Sequence, residues 1–70
     1  MRWAVVIEKA EGNYGAYVPD LPGCVATGGS IEETQLEIQE AIEFHIEGLR
    51  ADGLPIPEPS SRVDYVEVTA

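Results

Sequence analysis

Tyr17-Val18-Pro19-Asp20-Leu21-Pro22-Gly23-Cys24 is an apolar strand end that runs into two prolines spaced around an aspartate and a leucine, then leaves through Pro-Gly. Pro22 presets φ near −65° at the second position of a turn and Gly23 tolerates positive φ at the third, which predicts a type II turn over Leu21–Cys24. The chain reverses or steps sideways here. Asp20 lies close to two prolines that offer no backbone N–H, so its carboxylate is expected to face solvent or a partner.

Upstream, residues 2–8 place Trp3, Val5 and Ile7 on one face and Ala4 and Val6 on the other, a strand with apolar residues on both sides. Gly12 and Asn13 suit a turn, and Tyr14–Val18 forms the second strand of a hairpin. Downstream of the Pro-Gly turn, Cys24–Thr27 predicts a third strand ending at Gly28 and Gly29. Ser30 followed by Glu33 has capping-box spacing and starts a helix. Ile31, Ile38, Ala41, Ile42, His45, Ile46 and Leu49 then recur at helical spacing to about Ala51, with Gly53 as the expected C-cap. Pro55, Pro57 and Pro59 at alternate positions predict an extended connector. Residues 62–69 have the pattern of a last strand, with Val63 and Tyr65 on one side and Val66 and Val68 on the other.

The expected fold is therefore α+β, in the order β-β-β-α-β. A right-handed crossover through the helix would set the last strand beside the first, giving a four-stranded mixed sheet of order 3-2-1-4 with the helix on one face. The other face would remain bare, and the apolar residues on both sides of the first strand point to its burial by a second copy, hence a homo-oligomer. Leu36 falls opposite the apolar stripe of the helix and Phe44 to one side of it. With Trp3, they are the candidate oligomer contacts.

Seventy residues make one small domain, which buries only about 60% of its unfolded-chain surface. Cys24 is the single cysteine, so no intramolecular disulfide forms, which fits a reducing, cytoplasmic setting. No stretch approaches the roughly 18 apolar residues of a membrane span, and the N-terminus lacks a signal-peptide pattern. Four Lys and Arg against thirteen Asp and Glu give a formal net charge of −9. That balance disfavours unassisted binding to nucleic acid or anionic lipid, and it suits either simple solubility or a basic partner.

Chemistry-bearing residues are sparse. His45, the only histidine, sits on the apolar stripe with no ligand at metal spacing, and a reactive Cys24 would need a nearby positive charge. Two-metal nuclease chemistry requires converging carboxylates, whereas Glu8, Asp20 and Asp64 lie on a strand end, a loop and the start of the last strand. No catalytic, cofactor-binding or metal-binding residue is assigned, and no enzyme activity is expected. Asp20 and the helix glutamates Glu37, Glu40 and Glu43 are the candidate contacts for a basic protein.

The strings Arg2-Trp3-Ala4-Val5-Val6-Ile7, Tyr14 to Cys24 with its Pro-Asp-Leu-Pro-Gly-Cys core, Gly28-Gly29-Ser30-Ile31-Glu32-Glu33, Glu40-Ala41-Ile42 and the Pro-rich exit resemble the HicB antitoxin family over nearly the whole chain. The resemblance implies a reduced ribonuclease-H-like fold without catalytic activity, whose role is to bind and block HicA, a small basic toxin that cleaves mRNA. It also implies that operator binding resides in a C-terminal extension. Residues 1–70 match the domain without that DNA-binding module, so direct nucleic-acid binding is not expected. Gly28-Gly29-Ser30 stands where the family often has Gly-Asp-Thr, and Glu32-Glu33-Thr34 where it often has Glu-Glu-Ala. The alternative function is a self-associating structural or regulatory oligomer without a toxin partner.

Overall fold

The computed structural model describes residues 1–69. Three strands precede one helix: β1 (Val6–Ala10), β2 (Asn13–Tyr17), β3 (Val25–Gly28) and α1 (Ile31–Ala51). The strands form an antiparallel meander of order β1-β2-β3, joined first by a two-residue turn at Glu11 and Gly12. Ile7, Ala16 and Ala26 align across the sheet in one row, and the neighbouring row is Val6, Tyr17 and Val25. Because side chains alternate between faces, the first row points toward the helix and the second away from it. Ala16 is buried, whereas Tyr17 and Val25 are exposed.

The Pro-Asp-Leu-Pro-Gly segment folds as two successive turns. Leu21 N–H donates to the Val18 carbonyl at 3.1 Å, Cys24 N–H donates to the Leu21 carbonyl at 3.0 Å, and Val18 N–H closes the loop onto the Cys24 carbonyl at 3.2 Å. Gly23 supplies the positive φ, +84°, that the second turn requires. With its backbone polar groups satisfied locally, Leu21 can turn inward. It has no solvent exposure at all and forms the core with Ala16, Val18, Cys24 and Ile38. A loop residue is thus the most buried hydrophobe of the domain.

Small residues decide where the helix sits. The principal contacts of α1 are with β3 and β2, whose inward positions are Ala16, Ala26 and Gly28. A Cβ on Gly28 would lie 2.6 Å from Thr34 Oγ1 and 2.8 Å from Thr34 N, so only glycine permits this approach. Thr34 is itself fully buried, its hydroxyl donating to the Ser30 carbonyl at 2.7 Å. The helix starts where the capping spacing predicts, with Ser30 Oγ accepting from Glu33 N–H at 3.1 Å. It ends at Ala51, as the apolar recurrence predicts, with the cap one residue before the expected Gly53. Asp52 is the C-cap, and Gly53 follows with φ +68°, its N–H donating to the Arg50 carbonyl while Leu54 N–H reaches the Leu49 carbonyl. That pair of bonds is a Schellman motif.

The expected four-stranded mixed sheet of order 3-2-1-4 is not found: the sheet has three strands, all antiparallel, in the order 1-2-3. Two differences account for it. The first ladder begins at Val6, and residues 1–5 run ahead of it without strand pairing. The segment 62–69 has strand-like alternation but pairs with nothing among the described residues, and each of its side chains is exposed. Asp20 holds the chain just before that segment, at Ser60 and Ser61, and residues beyond the hold point form an extended arm. Alternation shows what a segment can pair as, whereas pairing also needs an edge within reach.

Candidate functional site

Asp20 is the most heavily hydrogen-bonded side chain among the described residues. Its Oδ2 accepts from the backbone N–H groups of Ser60 at 3.0 Å and Ser61 at 2.8 Å, and its Oδ1 accepts from their hydroxyls at 3.2 Å and 2.8 Å. The Ser61 backbone and hydroxyl bonds, followed by those of Ser60, hold the carboxyl below the usual aspartate range. The sequence-based expectation that this carboxylate faces solvent or a partner overlooks the two consecutive serines. They lie forty residues away and carry no signature linking them to Asp20.

Two depressions flank α1 and take in some of the remaining candidate residues. One is an open groove of about 1260 Å³ between the N-terminal run and the helix. Trp3, Val5 and Ile7 line one wall, and Leu36, Ile42 and Ile46 the other. Glu32, Glu43, Glu47 and Arg50 stand among its lining residues, a local excess of negative charge. The groove exists because α1 is drawn toward the small residues of β3 and β2, away from the bulky ones that precede and begin β1. The second depression, about 410 Å³, lies at the β3 side and includes Cys24, Phe44, His45 and Gly48.

Trp3, Leu36 and Glu43 are therefore brought together at one groove, whereas Phe44 lies at the opposite depression. Glu37 and Glu40 are exposed on the helix and line neither one. Leu36 is 64% and Phe44 78% exposed. The three helix glutamates span the outward half of α1 as a broad acidic face.

The residues weighed for catalysis do not converge. Glu8 is exposed on β1, Asp20 is engaged by the serines, and Asp64 pairs on the arm with Arg62 at 3.3 Å. Cys24 is a buried free thiol whose pKa is raised by desolvation. His45 is half-buried beside it in the second depression. Among the described residues, no three His, Cys, Asp or Glu side chains are grouped so as to hold a metal ion, and no helix is long and apolar enough to cross a membrane.

Comparison with known proteins places this arrangement. The chain is 38% identical over 66 residues to an uncharacterized 14.9 kDa protein from the rep-hol intergenic region of Haemophilus phage HP1, covering 94% of this chain and half the length of the phage protein. It is 53% identical over 49 residues to a UPF0150 protein of Helicobacter pylori, covering 70% of this chain and 68% of that one. Among solved structures it resembles a chain of the HicA3 and HicB3 toxin-antitoxin complex, with a TM-score of 0.75 and 30% identity over 86% of this chain and 70% of the other. Residues 3–69 match the family model of the HicB-like antitoxin of bacterial toxin-antitoxin systems, and the chain belongs to that family.

Proposed function

We propose that this chain is a non-catalytic antitoxin subunit that binds and blocks a small basic mRNA-cleaving toxin of the HicA type. The observation that carries the reading is the likeness of its fold to a chain of the HicA3 and HicB3 complex at 30% identity. The net charge of −9 supports it, since an acidic surface of this density attracts a protein built to bind RNA phosphates. Glu37, Glu40 and Glu43 on the outward half of α1 are the proposed contacts. In this mechanism they occupy the toxin's basic RNA-binding surface and sterically exclude the substrate. Asp20 is assigned a structural role instead, because its four acceptor bonds are already made within the chain.

The test is co-expression with a small basic HicA-type protein, taken from a neighbouring reading frame where one is encoded, followed by purification at low salt and an RNA-cleavage assay of the toxin with and without this chain. A stoichiometric complex that suppresses cleavage is the expected result; absence of any complex at low salt overturns the reading. Exposed Leu36 and Phe44 favour a second reading, a self-associating oligomer without a toxin partner. Native mass spectrometry separates the two, because a homo-oligomer that excludes every basic partner supports only the second.

A further inference from the structure

The second depression, about 410 Å³ between the start of β3 and the last turns of α1, has an opening that the fold itself does not require. Gly48 lines it from inside the helix, where glycine is less favourable than alanine because it loses more backbone freedom. A Cβ there would meet nothing within 4 Å, so packing inside the chain gives no reason for the glycine, in contrast to Gly28. Its effect is to keep the depression open. Phe44, one turn earlier on α1, stands at the rim with 78% of its surface exposed, and Val25 of β3 lines the other side at 64%. Cys24, Ala41 and Leu49 lie between them. A single exposed apolar residue is ordinary on a protein surface. An aromatic and a valine on two sides of a gap left by a glycine within the helix form a receptor for an apolar side chain.

The surrounding charges select the partner. Spacings of three and four residues put Glu37, Glu40, Phe44, Gly48 and Asp52 in one slanting row along α1 and its C-cap. Carboxylates therefore stand on both sides of the Phe44–Gly48 opening, and among the described residues no Lys or Arg lines it. Asp52 also lies at the C-terminal end of α1, where the backbone carbonyls leave a partial negative charge. A carboxylate there is unfavourable within the chain and adds to the attraction for an incoming cation. Arg50, the basic residue of the last turn, lines the groove on the other side of the helix.

We infer that this depression is the apolar anchor point of the toxin-binding face: it takes one aliphatic or aromatic side chain of the basic partner between Phe44 and Val25, while Lys or Arg residues of that partner pair with Glu40 on one side and Asp52 on the other. The assignment rests on the antitoxin reading and deepens it, because the glutamates alone supply attraction without a fixed register. Exposed ion pairs contribute little each and fade with salt. A desolvated aromatic at the centre of a contact contributes much more and fixes the register. A second copy of this chain is a poor occupant, since it would set one acidic row against another. Leu36 lies with Trp3 across the helix, outside this contact.

The test uses the full chain and the small basic HicA-type protein of the co-expression experiment, with affinity read by titration calorimetry and each variant's stability by thermal denaturation. Phe44→Ala is expected to weaken binding about thirtyfold with the melting temperature unchanged, and the loss persists at high salt because the lost contact is apolar. Gly48→Leu is expected to raise the melting temperature, since leucine is the better helix former, and yet to weaken binding by filling the depression. That opposition of stability and binding is what a purely structural role for Gly48 does not produce. Leu36→Ala, across the helix, leaves the affinity unchanged. Full binding by either the Phe44→Ala or the Gly48→Leu chain, or an equal loss from Leu36→Ala, overturns the anchor point and leaves the antitoxin reading standing. Absence of binding by the wild-type chain overturns both.

Discussion

Asp20 and Ser61 meet across forty-one residues of chain, the Ser61 N–H and hydroxyl each donating to the Asp20 carboxylate at 2.8 Å. Ser60 adds a second backbone and hydroxyl pair, so one loop carboxylate fixes where the chain turns after the helix. Asp20→Asn removes the charge and one strong acceptor. The expected outcome is faster amide exchange at Ser60 and Ser61 and a freed arm, with helix protection unchanged, read by NMR hydrogen exchange.

The same clamp depends on pH in a defined direction. The Asp20 carboxyl is held below its ordinary value of 3.8, so its contribution to stability is complete above that value and is lost as pH falls through the lowered pKa. A pH titration following the Ser60 and Ser61 amide resonances is expected to show no change near neutrality and a coupled shift in the acid range. Asp20→Asn should abolish that shift.

Gly23 and Gly28 respond to substitution for different reasons. A Cβ at Gly23 meets nothing within 4 Å, so Gly23→Ala costs only the left-handed backbone, about 1–2 kcal/mol, and Gly23→Asn recovers part of it. A Cβ at Gly28 collides with the Thr34 backbone, so Gly28→Ala costs about 1–3 kcal/mol by overpacking, and asparagine rescues nothing. Urea midpoints of the four variants check the contrast.

Leu21 and Ile38 fill one core from a loop and a helix. Leu21→Ala and Ile38→Ala are each expected to cost about 2–5 kcal/mol, so the loop substitution is as damaging as the helix one. Thermal denaturation of both variants tests this. A Leu21→Ala chain as stable as wild type would show that the turn pair, rather than the side chain, anchors the loop.

If the proposed toxin complex forms through the α1 glutamates, each exposed ion pair lost is expected to cost about 1 kcal/mol, roughly fivefold in affinity at low salt. Glu43→Gln and Glu37→Gln, measured by titration calorimetry at two salt concentrations, should lose less at the higher one. Loss independent of salt would remove the electrostatic account.

Much of this fold is legible in the residues. The Ser30–Glu33 spacing, the apolar recurrence through Leu49 and Gly53 locate α1 to within a residue, because helix signals are local. The Pro22-Gly23 turn is equally local. Residues 62–69 mislead for a complementary reason: their alternation is the same whether they pair or remain exposed, and the choice lies with the distant Asp20 clamp. The placement of the candidate contacts was less legible. Trp3, Leu36 and Glu43 share a groove as spacing alone could not establish, since its walls arise from the small residues at Ala16, Ala26 and Gly28 drawing the helix aside. Phe44 belongs to the other side, and the role of Leu21 is hidden because prolines on both sides of a leucine ordinarily signal surface loop.

The β1-β2-β3 order, with each strand beside its neighbour in sequence and α1 following directly, has a kinetic consequence. All core residues lie between Ala16 and Ile38, so ring closures are short and little chain entropy is lost before contacts form. During refolding the native core can form without the arm, and substitutions at Val66 or Val68 should leave the refolding rate in stopped-flow experiments unchanged.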